Sequence, residues 1–161
     1  MCNLSVTFRE MTDEEFNKFK QWDIEDYSKA LVKSGLSSNE DAMEAAKKSF
    51  NNLLPQGKYT KDSYVYIILN NDYESVGFIW YEKFNEDIAF ICDFLILEQF
   101  RRKGYGKQAL LLVEKEAKEK GLNKMLLNVF KYNTAAFSLY KSLNYKIRDE
   151  ENQNITMIKN I

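Results

Sequence analysis

Hydrophobic and polar positions alternate at the start of the chain, in LSVTFREMT (4–12), a period of two that predicts a first strand. The pattern then lengthens. TDEE, from Thr12 to Glu15, is a capping box, and Phe16, Phe19, Ile24, Tyr27 and Leu31 recur as the inward positions of a helix running to about Ser34. Gly35 supplies a left-handed stop. Ser37 or Ser38 caps a second helix with Met43, Ala46, Phe50, Leu53 and Leu54 on one face, and LLPQG ends it. Three runs rich in β-branched and aromatic residues follow: SYVYIILN (63–70), SVGFIWYEKF (75–84) and DIAFICDFLIL (87–97). NND and NED between them read as turns, which predicts an antiparallel meander. An amphipathic helix closes near Gly121, NKMLLNVF (123–130) is a strand, and NTAAFSLYKSLN (133–144) is a short helix with Ala136, Leu139, Tyr140 and Leu143 on one face. YKIRD and ITMIKN close the chain as strands.

The predicted order is β-α-α-β-β-β-α-β-α-β-β. The strand–helix–strand piece in the second half requires a right-handed crossover between parallel neighbours. The fold class expected is therefore α/β (α+β), a mixed, mostly antiparallel central sheet with helices on both faces.

Composition narrows the chemistry. The 161 residues are 45% hydrophobic, which suits a single domain over 1–161 with a real core. Lys plus Arg total 23 against 24 Asp plus Glu, a net charge of -1 that does not suit a nucleic-acid binder. The apolar runs are too short to span a membrane, and the N-terminus carries no signal-peptide pattern. Cys2 and Cys92 form no framework, so reduced thiols and a cytoplasmic protein are expected. With no histidine, His-based triads and His-containing metal sites are excluded, and no metal is expected. Acid–base work falls to Asp, Glu, Tyr, Lys, Cys or water.

One stretch joins charge to flexibility: RRKGYGKQAL sets Arg101, Arg102 and Lys103 before Gly104 and Gly106 at the mouth of a helix. Unpaired N–H groups and positive partial charge at a helix start, approached through glycine, make a phosphate site. The plainer reading is a glycine turn with a solvated basic edge. The dinucleotide fingerprint is incomplete, with alanine at position 109, and the P-loop fails because no G-K-[ST] follows four residues after a glycine.

FLILEQFRRKGYGKQAL resembles the acetyl-CoA signature of the GNAT family, the GCN5-related N-acetyltransferases, whose core R/Q-x-x-G-x-G/A corresponds to Arg101 through Gly106. NTAAFSLYKSLNY is similar to the family's second signature, with Asn133, Ala136, Leu139, Tyr140 and Tyr145 in place. The element order is the family's as well, closest to its small stand-alone bacterial members. The resemblance implies a direct transfer of the acetyl group of acetyl-CoA to a primary amine in a ternary complex. It places the coenzyme pyrophosphate on the amides of Arg102, Lys103, Gly104, Tyr105, Gly106 and Lys107, with Arg101 framing the turn. It runs the pantetheine arm along the main chain of Phe94, Leu95 and Ile96, sets Asn133 against that arm, and makes Tyr140 the general acid for the leaving thiolate. Plain readings stand beside two of these: Asn133 as a helix cap and Tyr140 as a core aromatic.

The base is open. Some protein-acetylating members carry a glutamate where this chain has Asn128, which takes no proton. Asp93 and Glu82 are the base candidates, directly or through water, against a structural or solvated role. Asn144 replaces a glycine usual after the last helix, and asparagine tolerates the left-handed conformation. The acceptor is a small-molecule or peptide amine. Acidic residues of the first two helices, among them Asp13, Glu15, Asp23 and Glu40, would attract a cation or simply be solvated. Polyamine, aminoglycoside, amino-acid derivative and protein lysine all stay open. Many members of the family dimerise, so a homodimer is a candidate state; neither a nucleic acid nor a membrane is expected as partner. The alternative to an enzyme is a non-catalytic GNAT-fold module that senses acetyl-CoA.

Overall fold

The structure, a computed structural model, describes residues 4–161; Cys2 lies outside the described residues. The order of elements is β1 (Thr7–Glu10), α1 (Asp13–Lys33), α2 (Ala42–Leu53), β2 (Ser63–Leu69), β3 (Ser75–Lys83), β4 (Ile88–Ile96), α3 (Tyr105–Glu119), β5 (Lys124–Phe130), α4 (Thr134–Ser142), β6 (Lys146–Glu151) and β7 (Asn154–Asn160). This is the predicted order, with short 3-10 turns added at Gly57–Tyr59 and Glu98–Phe100.

The backbone divides into two compact units. Residues 11–63 hold α1 and α2. The capping box forms as read: Thr12 Oγ1 accepts from the Glu15 N–H at 3.1 Å, and Glu15 Oε1 accepts from the Thr12 N–H at 2.9 Å. Phe16, Phe19 and Phe50 pack as a triad with centroids 6.0–6.1 Å apart. Gly35 ends α1 at φ +77°. The inward faces are partly corrected. Tyr27 is exposed and Ser28 is buried beside it, its hydroxyl donating to the Glu25 carbonyl at 2.7 Å. Met43 and Leu53 are exposed too, and Ala42 joins Ala46, Phe50 and Leu54 in the interior. Helix α2 starts later than a Ser38 cap would set it, because Ser38 first closes a turn through the Asp41 N–H at 3.2 Å.

The other unit is a seven-stranded sheet in the order β1-β2-β3-β4-β5-β7-β6 with α3 and α4. Strands β1–β2, β3–β4, β5–β7 and β6–β7 pair antiparallel, while β4 and β5 run parallel, as the crossover through α3 requires. One face carries Ile79 and Tyr81 of β3, Ala89 and Ile91 of β4, and Met125 and Leu127 of β5; with Ala109, Leu110, Val113 and Ala117 of α3 they form the core cluster. Tyr81 donates to Glu116 of α3 at 2.5 Å, tying helix to sheet. Beneath α3, the buried Glu114 accepts from Lys159 Nζ at 2.6 Å and from the Tyr145 hydroxyl at 3.1 Å. Asn144 adopts φ +73° after α4, the left-handed conformation expected of it.

Candidate active site

Strand β4 is where the site begins. Trp80 of β3 faces Asp93, but the next residue, Tyr81, faces Ile91, so Cys92 is an extra residue bulged out of the ladder. On the other side of β4, pairing with β5 ends at Ile91 and Leu127. Strand β5 continues to Phe130 with β7 as its partner. From the bulge onward, β4 and β5 have parted and a seam opens between them.

The register states which backbone groups line this seam. The Leu97 N–H donates to the Val76 carbonyl at 2.8 Å, so Val76 and Leu97 form a hydrogen-bonded antiparallel pair. Alternation then turns Leu95 and Asp93 toward β3 and turns the N–H and C=O of Phe94 and Ile96 toward the seam. Of the three residues read as main-chain partners of a pantetheine arm, Leu95 therefore does not qualify: its backbone groups face Phe78. Two of the seam groups are already engaged. The Ile96 carbonyl accepts from Arg101 Nε at 2.7 Å, and the Phe94 N–H donates to Asp93 Oδ1 at 2.8 Å. The Phe94 carbonyl and the Ile96 N–H complete the set.

The glycine loop sits at the end of the same strand. Arg101 is extended, and its guanidinium ties the loop to β4. Arg102 takes φ +62° and Gly104 takes φ +91°, two left-handed residues separated by Lys103. Such alternation turns successive N–H groups into one concavity, and the N–H groups of Tyr105, Gly106 and Lys107 in the first turn of α3 extend it. Lys103 lies over the Phe100 ring at 5.9 Å, and Arg102 and Lys107 are exposed. Gly106 does something else. A Cβ there would stand 3.4 Å from Leu139 Cδ2 and 3.5 Å from Phe94 Cζ, so its missing side chain seats α3 against α4 and β4.

Helix α4 brings the remaining residues. Asn133 is its N-cap, with Oδ1 accepting from the Ala136 N–H at 3.3 Å, so the capping reading holds and its amide nitrogen stays exposed. Tyr140, two turns along, is buried against Tyr145 with rings 6.0 Å apart, and its hydroxyl makes no hydrogen bond among the described residues. Burial, with the charge of Asp93 second, pushes the Tyr140 phenol up to about 12. Burial likewise pushes the Asp93 carboxyl up to about 7, against the opposing pull of the Phe94 N–H. The Asp93 charge thus reaches the Tyr140 phenol. Glu82 shares a sheet face with Asp93, two residues along β3 from Trp80, the partner of Asp93. It faces Phe90 on the sheet face opposite the α3 side; burial raises its carboxyl, and its charge acts on the Cys92 thiol. Asn128 is exposed on β5 just past the split, accepting from Thr156 Oγ1 at 2.8 Å.

Sequence reasoning missed Gly77, Cys92 and the conformation of Arg102. A lone glycine inside a strand signals close backbone approach and could have been read. Nothing in the run of residues marks the bulge at Cys92.

A mixed sheet parted beside a helix-capping loop is the fold of the GNAT acyl-CoA N-acyltransferases. Residues 13–145 match the acetyltransferase (GNAT) family, and the chain belongs to that family. It is 32% identical over 149 residues to the uncharacterized N-acetyltransferase YycN of Bacillus subtilis, spanning 91% of this chain and 96% of that one. It is 30% identical over 145 residues to the uncharacterized N-acetyltransferase YdgE of the same organism, spanning 88% and 92%. The crystal structure of YycN matches with a TM-score of 0.86. The PaiA N-acetyltransferase of Thermoplasma acidophilum, crystallised with coenzyme A, is 22% identical with a TM-score of 0.71 over 98% of this chain and 99% of that one, and shares the fold.

Proposed function

We propose that the protein is an N-acetyltransferase that moves the acetyl group of acetyl-CoA to a primary amine by direct attack. The observation that carries this reading is the seam itself: an open strand edge at Phe94 and Ile96 joined to a left-handed N–H concavity at Arg102–Gly104, with the unsatisfied Tyr140 hydroxyl near Asp93. The concavity suits the coenzyme's pyrophosphate, and the Phe94 carbonyl and Ile96 N–H turned into the seam suit an amide-bearing arm that pairs like an added strand. Asn133, the N-cap of α4, is the residue that the family signature sets against that arm.

The amine must lose a proton before it attacks, since an alkylammonium has a pKa near 10.4. Asp93, poised at about 7, is the better of the two base candidates; Glu82 lies off the seam. The nitrogen lone pair forms a bond to the acetyl carbon, the carbonyl pair moves onto oxygen, and its return expels the thiolate as the C–S bond breaks. Tyr140, still protonated at neutral pH, gives its proton to that sulfur and recovers one from the amide nitrogen. The balance is one ammonium and one thioester in, and one amide, one thiol and one proton out. Holding both reactants in the seam supplies much of the acceleration.

Thermal unfolding with acetyl-CoA, CoA, ATP and NAD, followed by thiol release over an amine panel, tests the reading. A ligand at about 100 times its dissociation constant adds about 2.7 kcal/mol. A shift with acetyl-CoA that is lost in Gly104→Glu, together with amine-dependent thiol release, supports the transferase. A shift without release over background supports the sensor reading instead, and preference for ATP or NAD overturns both.

A further inference from the structure

The Phe94 N–H is one of only two N–H groups that the register turns into the seam between Phe94 and Ile96, and the Asp93 carboxylate holds it. That contact is local, from a side chain to the next residue's amide. It exists because the bulge at Cys92 leaves Asp93 level with Trp80 while β5 has already turned away. In an unbroken parallel ladder, a strand carbonyl would take the Phe94 N–H and Asp93 would have no role there. We infer that Asp93 is a gate: its carboxylate sequesters the Phe94 N–H until it takes the proton of the incoming amine, and the freed N–H then binds the thioester oxygen. This rests on the transferase reading above and adds to it a coupling of proton removal to carbonyl activation.

The physical basis is the difference between acceptors. A hydrogen bond to a charged carboxylate is about twice as strong as one to a neutral acceptor. Protonating Asp93 therefore weakens its hold on the Phe94 N–H at the moment the amine becomes nucleophilic. The donor then serves the oxygen on which charge develops. The proton goes from the ammonium to Asp93 and from there to solvent after the amide forms; electrons move only in the C–N bond made and the C–S bond broken. The titratable groups nearest Asp93 in these interactions are Tyr140 from α4, on which its charge acts, and Cys92 beside it in the chain; Glu82, on β3 and on the same sheet face, acts on Cys92. Tyr140 and Cys92 are both pushed up and stay neutral below pH 8; burial raises Glu82, whose charge acts on Cys92; and Asp93, at about 7, changes charge near neutrality.

The test compares acetyl-CoA with CoA, because only the thioester carries the carbonyl that uses the freed N–H. Dissociation constants of both are measured by titration calorimetry from pH 5.5 to 8.5 on the full chain, and their ratio cancels the titration of the shared phosphates. In the wild type the preference for acetyl-CoA should grow several-fold as pH falls through about 7, the value at which Asp93 takes its proton. Asp93→Asn keeps a neutral acceptor at every pH and should give a flat ratio. Asp93→Ala frees the N–H permanently and should show the raised preference even at pH 8.5. A wild-type ratio that is flat over the whole range overturns the gate while leaving the transferase reading intact, as does a flat Asp93→Ala ratio equal to the wild type's at high pH. If Asp93→Ala does not fold, the contrast between wild type and Asp93→Asn decides alone. Failure of either nucleotide to bind the wild type overturns the coenzyme assignment and the gate with it, an outcome distinct from a flat ratio.

Discussion

Gly77 lies so close to β4 that a Cβ on it would stand 2.0 Å from the carbonyl oxygen of Leu95 and 3.0 Å from the Ile96 Cα. No rotamer adjustment relieves contact with backbone. Gly77→Ala must push β4 away from β3 at the segment that lines the seam. It should destabilise the fold by about 1–3 kcal/mol, the usual cost of overpacking. Affinity for acetyl-CoA should fall with it. Urea unfolding and titration calorimetry on the same preparation check both; full affinity in Gly77→Ala would show that the strand position does not matter to the ligand.

Tyr140→Phe removes a hydroxyl that bonds to no described residue, so stability should change by less than about 0.5 kcal/mol. Its effect should appear in turnover. A thiolate already leaves well, so the loss should be roughly tenfold to hundredfold in kcat, the low end for general acid catalysis. The KM for acetyl-CoA should hold within about twofold. Steady-state thiol release separates the two constants, and an equal loss in KM would return Tyr140 to a packing role.

Asp93 makes stability depend on pH with a definite sign. Its folded carboxyl sits at about 7, above the unfolded value near 3.8, so the folded state binds more protons between those values. Stability therefore falls as pH rises from about 4 to about 7 and is level beyond. Asp93→Asn keeps an acceptor for the Phe94 N–H and removes the buried charge. At pH 8 it should be more stable than the wild type by on the order of 2–4 kcal/mol, and the difference should vanish near pH 4. Chemical denaturation at the two pH values measures it. Turnover should move the other way: the wild-type kcat/KM should rise through pH 7, and Asp93→Asn should lose that limb.

Lys159→Met tests the charge pair beneath α3. It leaves the buried Glu114 with the Tyr145 hydroxyl and no cation. Removing one partner of a buried pair costs about 3–5 kcal/mol. Urea unfolding should show a lower midpoint with an unchanged slope, and Glu114→Gln in the Lys159→Met background should restore part of the loss.

Local chemistry was enough for much of this protein. Thr12 and Glu15 cap a helix because their spacing lets each reach the other's amide, wherever the helix later docks. Asn133 caps α4 and Gly104 turns left-handed for similarly short-range reasons. The periodicities of two and 3.6 set the order of elements, and the two signatures around Gly104 and Tyr140 set the family. Helix faces were less certain: Tyr27 and Ser28 exchange places because inward and outward are decided by what packs alongside, not by the helix. The seam was beyond the sequence. The parting of β4 from β5 depends on one bulged residue, Cys92, whose neighbours read as an ordinary strand, and on β5 keeping β7 as a partner 28 residues away, at Asn128 and Thr156. Whether Phe94 or Leu95 presents its N–H to the seam follows from register alone, since a shift of one residue reverses every backbone group. Register is a property of paired strands, so only the folded sheet could turn Leu95 away and leave Asp93 holding the amide of Phe94.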